Sequence, residues 1–144
     1  GLLASPYVLT VASLIPLGIS MGLAEEYFPS WKTYFKWFAA IGFVAIAITS
    51  IAGIEIGRKI SVPLFHGVAG LVIFLGPFFA KGAPQGFYWV GIGGLLIGLG
   101  GIALAFITMG AQLLFFSPAF VMMILTPLLL LMTGAFMIGF TRKG

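Results

Sequence analysis

Long apolar runs separated by short polar segments make up most of the chain, and their order predicts five helices. The runs lack the alternation of polar and apolar residues that strands of a membrane β-barrel show. Each is close to the roughly 20 residues with which an α-helix crosses a bilayer. We therefore predict an all-α integral membrane protein with a single transmembrane domain over residues 1–144. The predicted transmembrane helices cover about 6–23, 31–57, 62–80, 87–110 and 118–141.

Serine and proline mark the predicted start of the first helix. Ser5-Pro6 combines a capping residue with proline at the first helical position, where the missing N–H costs no hydrogen bond. Pro16 lies in the middle of this span, where it should bend the helix and free one carbonyl group. We expect Ser13 or Ser20, or a neighbouring helix, to satisfy that carbonyl.

The last charge-free run, from Gly82 to Thr141, is too long for one crossing and must turn once. Gly110 is typical of a helix C-terminus, and Ser117-Pro118 of a capped restart. The connection 111–116 is itself apolar. We therefore expect it to lie in the membrane interface or against a partner.

Aromatic residues concentrate in two places that the five-helix prediction puts on the same side of the membrane. Tyrosine and tryptophan prefer the headgroup region, where an apolar ring meets lipid and a polar atom meets water. The predicted interfacial belt consists of Tyr27, Trp31, Tyr34, Trp37, Tyr88 and Trp89.

Composition supports lipid as the solvent, because charged residues make up only 7% of the chain and hydrophobic ones 61%. Soluble domains carry roughly 25% charged residues. No basic patch indicates nucleic acid binding, and the lack of cysteine excludes disulfides and thiolate chemistry. The cations divide between the two membrane sides as Lys32, Lys36, Lys81, Arg142 and Lys143 against Arg58 and Lys59. The positive-inside bias then predicts the N-terminus outside and the C-terminus in the cytoplasm.

A short charged segment between the second and third spans contains the only histidine. With the turn at about residues 58–61, Glu55 and His66 would reach the same depth in an antiparallel hairpin and meet there. Ionisable groups inside a membrane are candidates for proton transfer or ion entry, so this pair is a candidate proton or ion site. The alternative is structural, because Arg58 and Lys59 are spaced to neutralise Glu55 on one helix. His66 is also the candidate contact for a haem or quinone cofactor.

Glycines recur at helical spacing and predict close helix packing. The fourth span is rich in glycine, but no strand precedes it and no acidic residue follows, which excludes a nucleotide-binding loop. Small residues on one face let helix backbones approach closely. The predicted packing residues, which would hold the second, third and fourth spans together, are Gly53, Gly57, Gly67, Gly70, Gly94, Gly98, Gly101 and Ala105.

No nucleophile lies beside a base and no metal-ligand spacing occurs, so we expect neither an enzyme nor a metal site. The leading hypothesis is a non-catalytic accessory or scaffolding subunit of a larger membrane complex, one that carries electrons or ions. Its partners would be membrane lipids and other transmembrane subunits, with bound lipid and no cofactor. The alternative is a small homo-oligomeric transporter or channel in which Glu55, His66 and Ser50 line a polar entrance.

Overall fold

The computed structural model describes residues 5–108 and 117–141, with the backbone alone at 102–108, 118 and 122. This part of the chain is helical, with turns between the helices and without strands. Its five helices are α1 (Pro6–Tyr27), α2 (Lys32–Ile51), α3 (Glu55–Phe79), α4 (Tyr88–Thr108) and α5 (Pro118–Thr141). The prediction of five helices is confirmed.

Four of the described helical stretches are long and apolar enough to cross a membrane. They are Pro6–Tyr27, Lys32–Ile51, Glu55–Phe79 and Ala119–Thr141. In α4 the stretch Tyr88–Gly101 is apolar but shorter. Four of the helices in the described part of the chain therefore have the lengths and composition of membrane spans.

The predicted turn at residues 58–61 is wrong, because α2 ends at Ile51 and α3 begins at Glu55. Gly53 takes a left-handed backbone with φ of 69°. The Ile54 N–H donates to the Thr49 carbonyl and the Gly53 N–H to the Ser50 carbonyl. This is the Schellman arrangement, in which glycine just past a helix satisfies the last free carbonyls. The glycine ends the helix, and the charged residues that follow form the start of α3.

The other helix boundaries agree with the sequence more closely. Pro6 is the first residue of α1, and the predicted loop at 81–86 is non-helical. Ser117 caps α5, since its hydroxyl accepts a hydrogen bond from the Phe120 N–H at 3.2 Å. The predicted stop at Gly110 and the apolar connection 111–116 lie outside the described residues.

The chain forms two compact units, unit 1 (Gly1–Val72) and unit 2 (Ile73–Gly144), and residues of α3 belong to both. Unit 1 has a buried cluster of Leu17, Ala39 and Ala69 with phenylalanine rings packed around it. The rings of Phe38 and Phe65 in this cluster have centroids 5.0 Å apart. Helices α1, α2 and the first part of α3 thus share one core.

Unit 2 is built on glycines that lie on two faces of α4. Gly94 lies against the backbone of Ile73 and Phe74 in α3, so closely that a Cβ would come within 2.7 Å of the Phe74 nitrogen. Gly93 lies against the Phe136 ring of α5 in the same way, at 2.6 Å. Because residues 93 and 94 point in different directions on a helix, α4 contacts one neighbour on each side.

Candidate functional site

Glu55 and His66 lie on the same helix rather than on two arms of a hairpin. Eleven residues of α3 separate them, which corresponds to about 16 Å along the axis. The Glu55 side chain is 73% exposed and lies 3.8 Å from the Lys59 amine, its neighbour one helical turn on. The expected meeting of Glu55 with His66 is therefore wrong. The role of each residue alone stays a prediction.

His66 borders a cavity of unit 1 that is partly open to the surface and has a volume of about 90 Å³. Three helices contribute to its wall, which consists of Leu9, Ala12, Ser13, Pro16, Leu17, Ile46, Val62 and His66. Most of the wall is apolar. His66 and Ser13 are the polar residues among those that line it, and very little polar surface faces the pocket.

The serine hydroxyls of α1 donate hydrogen bonds within the helix, but not to the carbonyl group that the sequence predicted as their acceptor. Ser13 donates to the Thr10 carbonyl at 2.7 Å, and Ser20 donates to the Leu17 carbonyl at 3.0 Å. Proline at position 16 removes the N–H that would bond the carbonyl four residues before it, at Ala12. The expectation that Ser13 or Ser20 compensates this carbonyl is wrong, since both donate elsewhere.

Ser61, which falls in the predicted turn, lies within α3. It is buried, and its hydroxyl lies 3.1 Å from the hydroxyl of Thr49. Thr49 in turn donates to the Ala45 carbonyl at 2.7 Å. This short polar network joins α2 to α3.

Ser50, predicted to line a polar entrance, is 2% exposed. Its Oγ is buried and has no hydrogen-bond partner among the residues that the structure describes. A buried hydroxyl without a partner costs about 1–3 kcal/mol. Ser50 is therefore a polar group in the interior of unit 1, one helical turn from Ile46 in the cavity wall.

The predicted glycine face is only partly used for packing. Gly94 forms a close contact with α3, and Gly57 lies against the Thr49 side chain. Gly53 belongs to the turn. Among the described residues, a Cβ at Gly67, Gly70 or Gly98 would meet nothing within 4 Å, and Gly101 is half-buried. The side chain of Ala105 lies outside the described part of the chain.

Sequence reasoning missed the glycines that make most of the close contacts. Gly42 receives the Phe65 ring, with 2.5 Å between a Cβ built there and the ring carbon Cδ1. The remaining close positions are Gly91, Gly93, Gly100 and Gly139. Gly93 and Gly100 are seven residues apart and contact the same helix, so their spacing is a signal that the sequence contains. Gly42 and Gly139 stand alone, and only the packing of the neighbouring helix identifies them.

Four residues of the predicted aromatic belt are exposed, Trp31, Tyr34, Trp37 and Tyr88, whereas Tyr27 and Trp89 are half-buried. The Tyr88 and Trp89 rings stack with centroids 5.8 Å apart. Beside the belt, Glu25 pairs with Lys36 at 2.6 Å and with Lys32 at 3.8 Å. These ion pairs tie the end of α1 to the start of α2.

Among the described residues, no group of three or more His, Asp or Glu side chains is placed to hold a metal ion. Compared with models of known protein families, with curated proteins and with solved structures, the chain has no significant match.

Proposed function

We propose that the chain is a multi-pass integral membrane protein that serves as a non-catalytic accessory or scaffolding subunit of a larger membrane complex. Its length and composition support insertion, since four described helical stretches are long and apolar enough to span. In a membrane it would contribute helix surfaces, lipid contacts and stability to its neighbours. Electron or ion transport would belong to the complex as a whole.

One observation carries this proposal, a pair of glycines on the outer face of α1. Gly18 and Gly22 are exposed, and within the described part of the chain a Cβ at either would meet nothing within 4 Å. Their spacing of four residues is the one at which small side chains let two membrane helices approach closely. The sequence Gly18-Ile19-Ser20-Met21-Gly22 contains this signal, although the more obvious glycines of α4 hide it.

The chain itself supports this interpretation, because some of its glycines do receive a neighbouring helix. Gly42, Gly93 and Gly94 each receive a ring or a backbone segment of a neighbouring helix. Large apolar side chains surround the open pair on α1, among them Val11 and Ile15. A partner helix fits this surface better than a lipid tail does, since a rigid helix packs against a flat glycine surface with less loss of freedom.

Purification of the tagged chain from its native membrane in mild detergent tests the proposal. We expect partner subunits to co-purify with the chain, and we expect Gly18→Leu combined with Gly22→Leu to release them. Gly67→Leu is the matched control, because it adds the same side chain at another open position. A monodisperse chain without a partner contradicts the accessory role, and retention of the partner by the double variant contradicts the α1 surface.

We further propose that the N-terminus lies outside and the C-terminus in the cytoplasm. The distribution of Lys and Arg along the sequence supports this orientation, with Lys32 and Lys36 inside and Arg58 outside. Because the chain lacks cysteine, a single cysteine introduced by mutation can report the orientation. In intact cells, an impermeant maleimide should label Arg58→Cys and leave Lys36→Cys unlabelled. The reverse pattern contradicts the orientation.

A further inference from the structure

The partly open pocket of unit 1 has a wall that offers a ligand almost no polar group. Very little polar surface faces the pocket, although His66 and Ser13 are among the residues that line it. The Ser13 hydroxyl already donates to the Thr10 carbonyl within α1. Apolar cavities stay dry, because bound water needs two to four polar partners. The wall therefore favours a hydrocarbon ligand over water, an ion or a lipid headgroup.

The pocket also lies at the depth of lipid chains. The 22 residues of α1 extend over about 33 Å, close to the ~30 Å thickness of a hydrocarbon core. The α1 residues of the wall run from Leu9 to Leu17, which places them from about 5 Å to about 17 Å along the helix. In the membrane that we propose for this chain, these positions lie in the hydrocarbon of one leaflet.

We propose that this pocket binds the end of a lipid hydrocarbon chain, which enters through its open side. Three helices form the wall, so the chain end would contact α1, α2 and α3 at once. The inference rests on the membrane insertion proposed above and gives the expected lipid contacts a defined site. It does not depend on the accessory role, since the pocket belongs to unit 1 and not to a partner surface.

The size of the pocket selects the end of a chain over a ring. Its volume is about 90 Å³, whereas an apolar cavity that binds benzene measures about 150 Å³. A methylene group is similar in size to a water molecule, which occupies about 30 Å³, so about three carbons fit. Because the pocket is partly open, the rest of the chain can stay in the bilayer. A quinone or haem ring would have to displace side chains of the wall.

Packing explains why a chain end should stay in the pocket. Ala12 and Ser13 carry small side chains, which leave the space open from α1. On the opposite side, Ile46 of α2 is buried and provides a fixed apolar wall. An empty pocket would leave these wall atoms without neighbours and lose their dispersion attraction. In lipid such van der Waals contacts hold apolar groups together, since no hydrophobic force separates helix from chain.

Photo-crosslinking of the full chain in phosphatidylcholine nanodiscs tests the site, with a phospholipid that carries a diazirine at the end of one acyl chain. Ile46 is 1% exposed and borders the pocket, whereas Ile73 is 0% exposed and does not. Ile48 is 56% exposed and reports ordinary contact with the surrounding lipid. We expect several-fold more adducts at Ile46 than at Ile73, mapped by mass spectrometry. Equal labelling of these two buried residues overturns the proposal.

A second probe, with the diazirine in the headgroup, separates the chain end from the rest of the lipid. We expect this probe to label Ile46 no more than Ile73, because the pocket lies at chain depth. If the headgroup probe labels Ile46 as strongly as the chain-end probe does, the ligand is not a chain end and the proposal fails.

Two variants separate the pocket from general access of lipid to unit 1. Ala12→Phe fills space at the wall and should lower the labelling of Ile46 to that of Ile73. Ala40→Phe is the matched control, because it adds the same side chain at an exposed position of α2 that does not border the pocket. If Ala12→Phe folds and Ile46 keeps its original labelling, the proposal fails. If it does not fold, the comparison of Ile46 with Ile73 in the unchanged chain decides.

The same labelling distinguishes the pocket from the membrane insertion on which it rests. Adducts at Ile48 without adducts at Ile46 contradict the pocket alone. A chain that is labelled at neither residue contradicts insertion as well. The accessory role is decided separately, by the co-purification of partner subunits.

Discussion

Both units of the chain pack helices against one another, but the residues buried in their interiors differ. The buried polar residues of the described part all belong to unit 1: Thr10, Ser13, Ser20, Ser50 and Ser61. The buried residues of unit 2 are apolar or glycine, with Val90, Val121 and Ala135 among them. Unit 1 contains hydroxyls, a histidine and a cavity, whereas unit 2 relies on close backbone contact.

This difference shows that helix contacts can be specified in two ways when lipid is the solvent. Close packing at glycine gains van der Waals contact and leaves no room for a side chain. Hydroxyl pairs such as Thr49 with Ser61 add directional bonds, but every polar group must then find a partner. A polar interior can therefore bind a polar ligand, while a glycine interior is specialised for helix contact.

The largest effect should come from unit 2, where backbone meets backbone. Gly94→Ala places a methyl group 2.7 Å from the Phe74 nitrogen, which cannot move without shifting α3. We expect the free energy of unfolding in detergent, measured by titration with SDS, to fall by about 2–3 kcal/mol.

Gly98→Ala is the control on the same helix, because a Cβ there meets nothing within 4 Å. Alanine is the better helix former, so this variant should be neutral or stabilised by about 0.4–1 kcal/mol. Equal losses in the two variants would mean that glycine contact does not hold unit 2 together.

A smaller effect is expected at the glycine of unit 1, where a side chain rather than backbone occupies the space. Gly42→Ala pushes on the Phe65 ring, which also packs against Phe38. We expect a loss of about 1–2 kcal/mol in unfolding free energy, because the ring can yield only in part. In a double-mutant cycle, Phe65→Leu should recover at least half of this loss. Strictly additive losses would show that the two residues do not interact.

The smallest effect is expected from removing single hydroxyls in unit 1, one with a hydrogen-bond partner and one without such a partner in the described part of the chain. Ser61→Ala removes the hydrogen bond to Thr49 and should cost about 0.5–1.5 kcal/mol of unfolding free energy. Ser50→Ala removes a buried hydroxyl without a partner and should raise the unfolding free energy by about 1 kcal/mol. The same SDS titration measures both variants. A loss of stability in Ser50→Ala would mean that this hydroxyl has a bound partner.

The turn between α2 and α3 illustrates why the candidate site was only partly predictable. Charged residues at 55–59 look like a surface turn, yet Glu55 favours the first turn of a helix and pairs with Lys59 along it. Gly53 takes the left-handed backbone that reverses the chain. The shift of a few residues moves His66 away from the interface and into a cavity wall, so a local error in helix boundaries changes the chemistry of the site.

The amino-acid sequence by itself determined the helical class, the number of helices and most of their starts. In the membrane that we propose for this chain, an apolar backbone segment has no alternative to internal hydrogen bonds. Serine-proline pairs such as Ser117-Pro118 set the start of a helix through local contacts. Only the tertiary structure decided which glycines contact a neighbouring helix and which residues line the pocket together with His66. Such contacts depend on the rotation and separation of whole helices, which residue spacing along one helix does not set.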